Sequence, residues 1–192
     1  MSMKQKLYGF ALAVTFVLAP VVQAAVVNVN GTSNASLDGT NAVDVLLGAG
    51  TYQLSFVQGN YTAFTRFSAP VDCDSGGKNC RQGWENSVRY IIGTDTFLFG
   101  DGAATGGYGP LNPGDGYYID AATSFANAAG YIGGFTLNAA QNVKFFLYDD
   151  ILGDNQGGVS LLVAAVPLPA AAWLFGSALI GLVAVSRRKA AA

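Results

Sequence analysis

Between Ala25 and Val166 the chain runs in short stretches where apolar and polar residues alternate, broken at close intervals by Gly, Asn and Asp. Side chains two residues apart share one face of a strand, so this period marks half-buried strands, and the breakers mark turns. Tyr52, Leu54 and Phe56 alternate with Thr51, Gln53 and Ser55 after Gly48–Gly50. Val88–Ile92 and Thr96–Phe99 follow, and the stretch from Gly100 to Asp120, rich in Gly, Asp and Tyr, reads as irregular loop. Ala121 to Ala129 is expected to make a helical turn. Val143, Phe145 and Leu147 share one strand face, and Val159, Leu161 and Val163 share another, with Asp149 to Gly158 joining the two. No helical spacers of 10 to 15 residues separate the strands, so the expected fold is all-β, a sandwich or jelly roll over 25–165, rather than a parallel α/β sheet.

The two ends have a different character. Met1 to Lys6 is basic, Leu7 to Val22 is apolar, and Val22-Gln23-Ala24 has the small residues of a cleavage site, so 1–24 is expected to be a secretory signal peptide. At the other end Ala170 to Val185 is uncharged; as a helix this run would be about 24 Å long, short against a hydrocarbon core of roughly 30 Å. Trp173 suits the outer interface, and the Arg187-Arg188-Lys189 tip places the C-terminus in the cytoplasm. Ahead of this transmembrane segment, Val166-Pro167-Leu168-Pro169-Ala170 holds two prolines that keep the backbone extended.

These three parts, over 166–192, resemble the PEP-CTERM sorting signals in their VPLPA variant: motif 166–170, helix 170–186, basic tip 187–189. The resemblance implies delivery by the Sec machinery and recognition by an exosortase, a membrane-embedded transpeptidase of Gram-negative bacteria that usually make exopolysaccharide. It implies a chain held transiently in the inner membrane through the C-terminal helix and facing the periplasm, then moved to the cell surface or the extracellular biofilm matrix. An ordinary tail anchor is the plainer alternative.

Composition restricts the chemistry. The chain contains no His, which removes the Ser/His/Asp triad, His-ligated metals and imidazole acid–base catalysis. From Ala25 to Val166 twelve acids face five bases (Arg66, Lys78, Arg81, Arg89, Lys144), a net of −7 that is not drawn to nucleic acid. Eleven of the twelve are Asp, a residue of turns and loops, and Glu85 is the one Glu. Cys73 and Cys80 flank a run of turn formers and in an exported chain are expected to form a disulfide, contributing about 2.5 kcal/mol by closing an eight-residue loop. Trp84 is expected to pack over this loop.

The constellation with the most chemistry is Asp149 to Gly158, a loop of oxygen-bearing side chains and glycines suited to calcium. It is not an EF-hand: Leu152 and Leu161 stand at positions that motif gives to ligands. The alternative is a hairpin loop built from Asp, Asn and Gly because those residues turn well. Together with Phe135, Leu137, Val143, Phe145 and Gly157 to Leu161, the loop is similar to the body shared by many PEP-CTERM proteins and, more distantly, to calcium-dependent galactose-binding bacterial lectins. That resemblance implies Asp150, Asp154 and Asn155 as ligands, although this loop is shorter than the lectins' and lacks their Thr ligand. Tyr108, Tyr117, Tyr118 and Tyr131 lie on Gly-rich stretches and are candidates for stacking on sugar rings. The function expected is a non-catalytic surface or exopolysaccharide-matrix protein, with calcium-dependent carbohydrate binding. The alternatives are a glycoside hydrolase using two carboxylates, Glu85 among them, and a structural biofilm subunit.

Overall fold

The computed structural model describes residues 24–67, 69–101, 116–167 and 175–179. Between residues 24 and 167 nine strands and one helix are described: β1 (Ala24–Asn30), β2 (Val43–Leu47), β3 (Gly50–Phe56), β4 (Phe64–Thr65), β5 (Ser87–Ile92), β6 (Asp95–Gly100), α1 (Ala121–Ala128), β7 (Gly133–Leu137), β8 (Gln141–Phe146) and β9 (Gln156–Ala165). They form two antiparallel sheets, one ordered β1-β9-β3-β7 with β4 added to β9, the other β2-β8-β5-β6. The all-β expectation is met, and α1 occupies the predicted helical stretch. The signal peptide 1–24, except Ala24, lies outside the described residues. So does most of the predicted transmembrane helix, of which 175–179 is helical; among the described residues no helix is long and apolar enough to cross a membrane.

The core is the shared interior of the two sheets. Val27 and Val29, Tyr52, Leu54 and Phe56, and Val159, Leu161 and Val163 face Leu47, Val88, Tyr90, Phe99, Val143 and Phe145. Period-2 alternation puts these side chains on inner faces, and each one fully buried contributes about 1.5–3 kcal/mol. Aromatic rings join the layers: Phe56 stacks on Phe99 at 4.8 Å between centroids, and Tyr90 meets Phe135 at 5.5 Å.

Strand β9 departs from clean alternation because both its faces are covered. Ser160, on the outer face, lies under the segment after β3: Val57 N–H donates to Ser160 O at 3.0 Å and Tyr61 N–H to Ser160 Oγ at 3.0 Å. Gly157 lets that segment approach, since it has φ 75° and a Cβ added there would stand 2.3 Å from Ala63 O.

The sequence reading allowed for a hairpin between β8 and β9, and the structure corrects this. β8 pairs with β2 and β5, while β9 pairs with β1 and β3 in the opposite sheet. The loop Asp149–Gly158 therefore crosses from one layer to the other. The register places it at the end of β9 near Asn30 and Phe56, while Ala165, paired with Tyr52, marks the other end.

Candidate functional site

The described functional features gather mostly at the sandwich end where β8 leaves one sheet and β9 enters the other. Leu147 N–H donates to Asn34 O at 3.0 Å, fixing the chain as it exits β8. Leu152 packs against the core and pins the middle of the loop, which explains an apolar residue at a position where an EF-hand has a ligand. Asn155 is 5% exposed and donates from Nδ2 to Gly31 O at 2.8 Å; Gly31 N–H in turn donates to Gly157 O at 2.9 Å. Three side-chain oxygens of the loop are buried without a hydrogen-bond partner: Asp149 Oδ2, Asp154 Oδ1 and Asn155 Oδ1.

Of the ligand set Asp150, Asp154 and Asn155 read from the sequence, two members thus carry buried, unanswered oxygens. Asp150 is exposed, and its N–H donates to Asp149 Oδ1 at 2.9 Å. The remaining buried oxygen belongs to its chain neighbour Asp149, in the loop beyond the end of β8. Among the described residues, no three His, Cys, Asp or Glu side chains form a metal-binding group, and the third oxygen here belongs to an amide.

Behind this loop lies a buried polar network that sequence reasoning did not assemble. Arg66, in the turn after β4, donates to Glu85 Oε1 from Nε at 3.0 Å and from Nη2 at 2.5 Å, while Ser87 Oγ donates to Glu85 Oε2 at 3.0 Å. Glu85 is fully buried, so this carboxylate is committed to holding the fold together. Burial pulls the Arg66 pKa down, but the attraction of Glu85, helped by Tyr117 and Asp149, outweighs it and leaves the guanidinium above its ordinary value.

Asp101, 3% exposed, accepts Asn86 N–H on Oδ2 at 2.7 Å and the Tyr131 hydroxyl on Oδ1 at 3.0 Å. Burial pushes its carboxyl up to about 7; the Asn86 N–H bond opposes the shift, the Glu85 charge adds to it, and Tyr131 opposes it again. Asn86 Nδ2 donates to Ser124 Oγ at 2.9 Å, tying α1 to the same cluster.

The disulfide between Cys73 and Cys80 is present. Asp74 shapes its loop by accepting the Gly76 and Lys78 N–H groups, each at 2.9 Å. The aromatic residues packed on it are Tyr117 and Phe67. Trp84, expected there, is half-buried on another side, where its ring approaches Gly157. Of the tyrosines read as sugar platforms, Tyr117 and Tyr118 are buried, Tyr131 is bonded to Asp101, and Tyr108 lies outside the described residues.

At the opposite end of β9, Val166 N–H donates to Thr51 O at 2.8 Å, the last bond before Pro167, which has no N–H to continue a ladder. Leu168, Pro169, Ala170, Arg187, Arg188 and Lys189 lie outside the described residues. No protein-family model, no curated protein and no solved structure matches the chain.

Proposed function

We propose that this chain is an exported, exosortase-processed protein of the bacterial surface or exopolysaccharide matrix, whose sandwich is a non-catalytic module presented outside the cell. The observation that carries the reading is the order Val166-Pro167-Leu168-Pro169-Ala170, apolar run, Arg187-Arg188-Lys189, behind an N-terminal export signal. The Cys73–Cys80 disulfide suits an oxidising compartment. With β4 set aside, the strand order is that of two Greek keys wound into a jelly roll, an architecture used by many binding domains. Fold alone does not assign a ligand. The exopolysaccharide of the host is the partner this reading expects.

The geometry also suits presentation. β9 is held between β1 and β3, so a pull on the C-terminal signal is resisted by two ladders, and the loop Asp149–Gly158 lies at the end of β9 away from the motif. The test is the intact mass of the protein recovered from hosts with and without the exosortase. Cells carrying the enzyme are expected to yield a chain without Arg187 to Ala192, and cells lacking it a chain that retains them. An unprocessed C-terminus in both hosts would refute the reading and leave simple anchoring.

A further inference from the structure

We propose that the loop between β8 and β9 is a divalent-cation site, with calcium the ion that fits, held by Asp149 Oδ2, Asp154 Oδ1 and Asn155 Oδ1. Buried polar atoms in folded proteins are almost always partnered, and an unpartnered carboxylate oxygen is among the costliest to leave so. Here three buried acceptors without donors fall within seven residues. One trapped water has two protons and leaves at least one of the three oxygens unanswered.

The Asn155 amide is not simply reversed. Its Nδ2 faces the carbonyl of Gly31 at 2.8 Å, and a flip would set oxygen against oxygen, so Oδ1 is held on the buried edge, next in the chain to Asp154. Arg66 lies near enough to Asp149 for the two charges to attract, but its Nε and Nη2 are directed to Glu85 and Asp149 Oδ2 receives no hydrogen bond.

The chemistry of the set selects the ion. Two carboxylates and one neutral amide carry −2, which a divalent cation cancels. All three donors are hard oxygens with no nitrogen or sulfur, a preference for calcium over zinc or copper. The loop's peptide carbonyls and water would supply the remaining places of a shell of six to eight. The ion would clamp the crossover between the sheets, and the inference stands independently of the sorting signal.

The experiment is calorimetric titration of calcium chloride into the full chain in detergent after chelator treatment, with the melting temperature followed in parallel. One site per chain is expected, with a dissociation constant on the order of 0.1–1 mM, the range of extracellular calcium modules. The melting temperature should rise with calcium and fall back on chelation. Asp154→Asn should weaken binding at least tenfold, whereas Asp150→Asn, which removes the same charge from an exposed side chain, should change it less than threefold. The wild-type titration decides even if a variant fails to fold: no saturable heat and no melting shift up to about 10 mM calcium overturns the proposal. Equal losses in Asp150→Asn and Asp154→Asn also overturn it, because that would mean diffuse attraction to an acidic loop.

Discussion

Replacing Asp101 by Asn should remove most of the pH dependence of stability above pH 5. Asp101 titrates near 7 in the folded chain against 3.8 when unperturbed, a displacement of about three units at 1.36 kcal/mol each, so roughly 4 kcal/mol at most. The sign follows from proton counting. Between the two values the folded chain binds a proton that the unfolded chain has released. The contribution is therefore fully present below about pH 4 and is lost as the pH climbs through 7. The charged neighbour acting on this carboxyl is Glu85, with the Tyr131 hydroxyl on Oδ1 and the Asn86 N–H on Oδ2. The exposed carboxyls of Asp38, Asp74 and Asp120 are shifted the other way, by hydrogen bonds from Thr40, Lys78 and Thr123, so they act below their ordinary range and outside this window. The chain has no His to confuse the reading between pH 5 and 8. Urea unfolding followed by tryptophan fluorescence at about pH 5, 6, 7 and 8 gives the slope. The wild type should lose roughly 2–4 kcal/mol across that range, and Asp101→Asn, whose Oδ1 can still accept the Asn86 N–H, less than about 1. A flat wild-type profile, or an undiminished slope in the variant, would refute the argument.

Two further substitutions test the scaffold. Arg66→Ala leaves Glu85 as a buried charge without its partner and should cost about 3–5 kcal/mol in urea unfolding, while a paired Arg66→Met and Glu85→Gln change should cost clearly less. Cys73→Ser with Cys80→Ser should lower stability by about 2.5 kcal/mol, a fall in melting temperature of roughly 10 °C by scanning calorimetry, and a reductant should affect the wild type but not the variant.

Alternation is plainest in strands whose outer faces meet water. β3 and β8 show this most clearly. β1 escaped because Ala24 to Val27 continues the apolar run of the export signal, so the change of role at that point leaves no mark in composition. β7 is diluted by Gly133 and Gly134, although Phe135 and Leu137 were noticed. Pairing was less legible still. β9 is joined by β1 through Ala24↔Ala164 to Asn30↔Gly158, partners more than a hundred residues away, and local alternation carries no information about which strand lies alongside. The hairpin reading of β8 and β9 failed for this reason: a loop of Asp, Asn and Gly turns equally well within one sheet or between two.

The same distinction governs the candidate site. Composition located the acidic loop, but it did not separate Asp149 from Asp150, because β8 ends at Phe146 and its alternation does not reach either residue. What no local pattern contained was Gly31 as the anchor of the Asn155 amide, or Glu85 as the counter-charge that occupies Arg66. Both are contacts between segments distant in sequence, and both bear on whether the loop's oxygens are answered from within the protein. The burial of Glu85 illustrates the converse. As the one Glu of the chain it drew attention as a catalytic candidate, yet its residue type carried no trace of the guanidinium and hydroxyl that hold it inside the fold. A charged side chain read from sequence is therefore best judged by which opposing charge the topology brings to it, and here the crossing from β8 to β9 leaves two carboxylates of the loop with a buried oxygen unanswered.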